Sequence, residues 1–500
     1  MRDLDDLDRD LLARLALVEV ITPLLAAVLA EDDDDPADDA VMAVAGQLDR
    51  LRASGAVVID PGSGQTAVEP GLRSGALTQW ERRPAMRRGL LARAAVWYER
   101  EGMLLLAIRC AADAGEWLFV GALLMRSVAL LFAGRDREAL LIELDRIPRH
   151  LAPSDPALAA ALSALAFCRG QREAFRRELR VAVQAVRAAV APVPPPTIAA
   201  VHILTAERAL MDGQPEAMLM SARAAVEAVR MLDPATTPAW PIYVDVAETL
   251  AGHAELWAGS LERGVRMLAD RRGVPQASEF VAVRADGFRA IGLALLGEAR
   301  SAALAAETAL APARALGWDD QPVTAPAWAA SALAAADDER DEDARVALAA
   351  LAPMREMGGV DPLVAVVADL AEIELLRRSS GEASARLRIL AIDSEAARWR
   401  GSAERIAALQ AALRPRPDAP TVVLTARERE VLALLPSLLT MAEIAARLYL
   451  SFHTVRQHAK SVYRKLGVSR RSDAVRVARE RGLLIAGDGD DASPRSMSAP

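Results

Sequence analysis

Along most of this chain apolar residues recur at intervals of three and four, with polar residues between them, and that period predicts helices. One stretch breaks it. Val57, Val58 and Ile59, a Gly-rich turn, and then Thr66, Ala67 and Val68 carry the marks of a short β-hairpin. Ahead of the hairpin, helical spacing runs over residues 7–29, interrupted at Pro23, and over residues 41–53. Helices followed by a hairpin predict a winged-helix-like unit across residues 1–86. From Met86 onward the pattern is helical and Ala-rich. Gly134, Gly213, Gly259, Gly297 and Gly381 stand where one helix should close and the next open, with a further polar turn at residues 337–343. The intervals exceed the roughly 34 residues of a strict tetratricopeptide repeat, so residues 87–413 read as a degenerate, tetratricopeptide-like array of helical pairs. The Pro-rich segment at 192–196 is expected to divide that array into two lobes. The predicted fold class is mainly α. A linker at 414–420, a C-terminal module at 421–485 and a disordered tail at 486–500 complete the expected organisation.

The C-terminal module has the sharpest local signals. Residues 424–466 predict three short helices, each with its own start. Thr425 with Glu428, and again Thr440 with Glu443, has the spacing of a capping box. Ser451 is placed to cap the third helix. Only Tyr449, Leu450 and Ser451 remain for the turn before it, and two short helices joined so tightly predict a helix-turn-helix. Ala445 is small where those helices must approach, and Val455 is apolar where the third must face the core. By helical spacing Arg456, Gln457, Lys460, Arg464 and Lys465 fall on or beside one outward face.

Charge changes what that face means. The chain has a formal net charge of −8, but residues 421–482 hold twelve Arg or Lys against five Asp or Glu, so the rest is strongly acidic. No acidic residue occurs between Ile444 and Ser472. Lys460 and Lys465 are the only lysines in the chain. A DNA duplex is a dense row of phosphates, and Arg, Gln and Lys can also read base edges in the major groove. A basic module on an acidic body predicts one DNA-binding end and a body that avoids DNA. A solvated basic face is the plainer reading of such a charge run, and the turn spacing and caps tell against it.

Four motifs follow one another here: LT-x-REREVL-x-LL, EIA-x-x-L, S-x-x-TV-x-x-H and KLGV-x-x-R-x-x-AV, ending at Ala474 and Val475. Together they resemble the LuxR-type DNA-binding domain, a four-helix module. The resemblance implies base contacts from Arg456, Gln457 and Lys460, and phosphate contacts from Thr454 and Lys465. It also implies pairing of two modules through the last helix, residues 472–481, and so a homodimer on double-stranded DNA. One departure stands out. The family often has Gly and Asn in the loop between its first two helices, where this chain has Pro436, Ser437, Leu438, Leu439, Thr440 and Met441. A second likeness is more diffuse. Ala94, Trp97, Tyr98 and Glu99, then Gly102, then Ala111, Ala114, Gly115 and Trp117 resemble the segment after the winged-helix part of the large ATP-binding LuxR-type regulators, the maltose-regulator group.

Other chemistry is expected to be absent. The turn at residues 61–65 precedes Thr66 with Gln65, where a P-loop requires lysine, so a hairpin turn is the better reading than a nucleotide site. The acidic run at 31–35 reads as a solvated loop rather than a metal site. His150, His202 and His253 are isolated and lack metal-ligand spacing. Trp240, Trp257, Trp318, Trp328 and Trp399 are expected to pack between helices, with a concave ligand surface as the alternative. Cys110 and Cys168, the only cysteines, suit a reducing compartment. With an acidic N-terminus and no apolar run of about 18 residues, the protein is expected to be cytoplasmic, without membrane contact. The whole predicts a transcriptional regulator, not an enzyme and without a cofactor, whose helical body holds an unknown ligand or protein. The alternatives are an interaction scaffold with a vestigial DNA-binding domain and an ATP-driven regulator.

Overall fold

A computed structural model describes residues 4–379 and 424–484, apart from 32, 61–63, 133–136, 271–277, 357–359, 438, 467, 469, 481 and 482, together with residue 407. The expected linker at 414–420 and tail at 486–500 lie outside the described residues, as do Gly134, Gly381 and Trp399. The chain divides into two compact units. The first takes residues 1–289 and 308–318, the second 290–307 and 319–500. The described structure is mainly α, as predicted.

The first unit begins with α1 (Asp6–Leu15), α2 (Pro23–Glu31) and α3 (Asp38–Ala53), followed by strands β1 (Val57–Ile59) and β2 (Thr66–Val68). The strands are antiparallel, pairing Val57 with Val68 and Ile59 with Thr66. Helices α4 (Pro70–Thr78) and α5 (Pro84–Arg100) come next. The helical pattern over residues 7–29 breaks earlier than Pro23, because α1 ends at Leu15 and residues 16–22 lie outside any helix. Three partners distant in sequence hold that backbone. The Trp80 indole donates to Ala13 O at 2.9 Å, and Arg73 Nε donates to Ala16 O at 3.0 Å. The buried Tyr98 hydroxyl donates to Val20 O at 2.7 Å and accepts from Val20 N at 3.2 Å. A buried backbone group needs a partner, and these side chains replace the helix ladder.

Tyr98 gives the Trp-Tyr-Glu motif a structural reason, and its neighbour Glu99 pairs with Arg126 at 2.5 Å. The expected boundary at residue 86 falls two residues inside α5. Leu90, Leu91 and Ala94 of that helix share one core with Leu11, Leu15 and Leu25.

Beyond α5 the chain runs through α6 (Leu104–Ala114), α7 (Trp117–Phe132), α8 (Arg137–Asp145), α9 (Pro156–Cys168), α10 (Arg172–Ala188), α11 (Pro195–Met211), α12 (Pro215–Val229), α13 (Trp240–Trp257) and α14 (Leu261–Ala269). Helices α15 (Glu279–Leu295) and α16 (Ala299–Ala315) follow, and then α17 (Ala325–Asp337), α18 (Asp341–Glu356) and α19 (Pro362–Ser379). Gly213, Gly259 and Gly297 occupy left-handed backbone conformations at the predicted helix joins. The turn at 337–343 is also present, with Glu339 in the left-handed position at φ 61°. The Pro-rich segment interrupts the helices without parting the core: Pro195 opens α11, whose Val201 packs in the same cluster as Ala182 and Ala185 of α10.

Trp257 is buried, while Trp240, Trp318 and Trp328 are half-buried. His253 is buried and stacks on Phe288, with ring centroids 3.6 Å apart. His150 is exposed, and burial lowers the pKa of the half-buried His202.

Helices α13 and α14 approach closely at two glycines. A Cβ on Gly252 would lie 2.7 Å from Leu268 Cγ. One on Gly264 would lie 2.6 Å from Leu256 Cδ2 and 2.9 Å from the Gly252 carbonyl oxygen. The opposing group at Gly264 includes backbone, which cannot swing aside. Gly264→Ala should therefore destabilise the first unit by about 1–3 kcal/mol. Urea unfolding followed by circular dichroism measures this, and an unchanged midpoint would contradict the packing described.

Candidate nucleic-acid interface

The C-terminal domain is built from α20 (Ala426–Leu434), α21 (Met441–Arg447), α22 (Phe452–Leu466) and α23 (Arg471–Glu480). Both capping boxes form. Thr425 Oγ1 accepts from Glu428 N at 3.3 Å while Glu428 accepts from Thr425 N at 2.7 Å. Thr440 and Glu443 repeat the pair at 3.3 and 2.7 Å. Ser451 Oγ accepts from Thr454 N at 3.1 Å, so the third cap forms as well. Val431, Leu432, Ile444, Ala445, Val455, Ala459, Val462 and Ala474 make a core shared by all four helices. Every α22 member of that core sits on one side, which leaves the other side for chemistry.

On that other side Arg456, Gln457, Lys460 and Arg464 are exposed, and among the described residues none of their side chains has a hydrogen bond or ion pair. Arg447 and Arg470 extend the same uncommitted basic character at the ends of α21 and just before α23. Exposed cations without protein partners keep their full hydration and counterions until a polyanion replaces them.

Two residues expected at phosphates also have partners within the domain. Thr454 is half-buried and its hydroxyl is 2.7 Å from Ser451 Oγ within the cap. Lys465 Nζ lies 2.6 Å from Glu428 Oε2. Glu428 is 4% exposed and also accepts from Ser461 Oγ at 2.7 Å. A buried carboxylate needs an opposite charge, so Lys465 is held inward by the first helix. Its location on α22 was legible, but a partner 37 positions earlier was not.

The unusual loop after α20 also has a tertiary explanation. Helix α20 ends at Leu434, two residues before Pro436, as the restriction on the residue preceding proline requires. Arg471 then spans the loop from the start of α23. Its guanidinium donates to Leu435 O at 2.9 Å, Ser437 O at 2.6 Å and Leu439 O at 2.6 Å. One rigid fork thus satisfies three carbonyls and fixes the loop without Gly or Asn. Arg471 was visible only as a motif position.

Glu428 sets a pH dependence. Burial raises its pKa, but hydrogen bonds from Lys465, the Thr425 N–H and Ser461 outweigh burial and hold it down at about 2. A lowered carboxylate pKa means stability that is present above the ordinary value and lost as pH falls through the folded one. The domain should therefore weaken as pH drops from about 4.5 toward about 2. Glu428→Gln should cost about 1–3 kcal/mol at neutral pH and flatten that acid-side loss. Unfolding midpoints measured from neutral pH into acid check both, and an acid profile identical in the variant would remove Glu428 from the account.

Residues 422–478 match the family model described as bacterial regulatory proteins, luxR family. Over 56 residues the chain is 54% identical to the probable transcriptional regulatory protein SgaR of Hyphomicrobium methylovorum, covering 11% of this chain and 26% of that protein. It is 46% identical over 71 residues to the probable transcriptional regulatory protein NarL of Mycobacterium tuberculosis, covering 14% of this chain and 32% of that protein. It is 51% identical over 53 residues to the spore germination protein GerE of Bacillus subtilis, covering 11% of this chain and 72% of that protein. The chain thus spans about a quarter to a third of SgaR and NarL, and most of GerE. No solved structure matches the chain at a significant level. Among the described residues no helix is long and apolar enough to cross a membrane.

Proposed function

We propose that this chain, which belongs to the LuxR family of bacterial regulatory proteins, is a sequence-specific transcriptional regulator that reads DNA with α22 and is controlled through its helical body. The observation that carries the reading is the outward face of α22, where Arg456, Gln457, Lys460 and Arg464 are exposed and, among the described residues, uncommitted. In a helix-turn-helix the second helix enters the major groove and its first turns meet base edges. Arg456 and Lys460 suit guanine, Gln457 suits adenine, and Arg464 lies farther along, toward the phosphates. Thr454 and Lys465 take supporting roles, as part of the cap and as the partner of Glu428. Two modules pairing through α23 would read a two-fold site, which supports a homodimer on DNA.

The body is read as the sensing part, taking a ligand or a protein in its helical array, because so many packed helices exceed what positioning a small domain needs. ATP is disfavoured as its signal. A P-loop presents lysine to the phosphates, and both lysines of this chain belong to α22. A cytoplasmic, non-enzymatic protein is the setting this reading implies.

Arg456→Ala and Lys460→Ala should each weaken binding to the cognate site by about 1–3 kcal/mol while sparing non-specific binding. Fluorescence anisotropy with operator and scrambled duplexes measures this. Unchanged operator affinity in the double variant would end the recognition-helix assignment.

Removal of residues 1–413 should change operator affinity or the transcriptional response, because a body that controls the domain must favour one of two states. Identical occupancy and expression with the full and shortened chains, across growth conditions, would leave the body without a regulatory role.

A further inference from the structure

Two aromatic side chains flank the cap of α22 and belong to no buried core. Tyr449 is 95% exposed and Phe452 is 52% exposed, on either side of Ser451. Tyr449 also has a φ of 54°, the left-handed region that is strained for a non-glycine residue. The turn imposes that conformation. Leu450 N donates to Ala445 O at 2.9 Å, which closes α21 in the way a left-handed residue after a helix allows. Glycine would meet the requirement without strain. Tyrosine accepts the strain and displays its ring to solvent, so nothing among the described residues offsets the cost.

The surroundings name the occupant. Phe452 is the first residue of α22, and the first residues of such a helix are those presented to base edges. Arg447, His453 and Arg456 are exposed nearby in sequence, and no carboxylate occurs from Ile444 to Ser472. A partner must therefore be anionic and also offer an apolar group. The major groove of DNA offers one, the thymine methyl.

We propose that Tyr449 and Phe452 form an apolar contact with DNA. Phe452 packs on a thymine methyl at the edge of each half-site, and Tyr449 lies along the neighbouring sugar–phosphate backbone with its hydroxyl donating to a phosphate. This rests on the reading of α22 as the recognition helix and adds to it a base preference that the basic residues do not supply.

The test uses the full-length protein and an operator selected from random duplexes with the wild-type chain. Tyr449→Gly relieves the strain, so amides of α21 and α22 should gain several-fold protection from hydrogen exchange while operator affinity falls about fivefold. Phe452→Ala should lose about fivefold on the thymine operator. Replacing thymine by deoxyuridine, which lacks the methyl, should cost the wild type a similar factor and cost Phe452→Ala nothing further. Wild-type affinity in both ring variants would overturn the proposal. So would deoxyuridine and Phe452→Ala losses that simply multiply, since the ring and the methyl would then act independently. If the ring variants change only self-association, the rings serve a second copy and the proposal fails. The double variant Arg456→Ala with Lys460→Ala is the control for the underlying reading: if it binds like wild type, the recognition helix itself is misassigned.

Discussion

The C-terminal domain depends on one buried carboxylate. Glu428 closes the capping box of α20, and the same group reaches Ser461 and Lys465 on α22. A carboxylate taken out of water is costly unless every lone pair finds a donor, and here a backbone amide, a hydroxyl and an ammonium supply them. That requirement joins a local helix-start signal to the placement of α22. The orientation of the exposed basic face follows from it, because α22 can rotate only as far as Lys465 and Ser461 allow.

The body uses a related device. Tyr98, Trp80 and Arg73 each give a side-chain hydrogen bond to backbone at the end of α1 or just beyond it. The chain leaves the helix early because these partners compensate the lost ladder. Arg471 does the same for the loop after α20. In all three regions a polar side chain from a distant element decides where a helix or loop goes, and the apolar core packs around that decision.

Charge is divided to match. Many described arginines of the body hold carboxylates, such as Arg284 on Glu207 and Arg378 on Asp341. Among the described residues, the basic residues on the outer face of α22 other than Lys465 hold none. Paired charges offset one another locally, while uncommitted ones remain available to a polyanion. The aromatic residues at the turn stand at the border of that face, where strain and exposure coincide in one residue.

Much of this was determined by sequence alone. Capping boxes, the short turn before α22 (four residues, Leu448 to Ser451, where three were expected), the hairpin and the helix joins at Gly213, Gly259 and Gly297 are local signals, read from residues within a few positions of one another. The outward set on α22 was legible for the same reason, since helical spacing separates Arg456 and Lys460 from Val455 and Ala459. Tertiary structure alone decided which cations stay free. Lys465 and Arg464 are adjacent and look alike in sequence, yet one turns to a buried carboxylate 37 positions away and the other stays in water. The early end of α1, the continuous core through residue 86 and the loop anchored by Arg471 were likewise decided by partners far along the chain. A hydrogen bond between distant elements leaves no period and no spacing in the sequence, because its geometry exists only once the helices have packed.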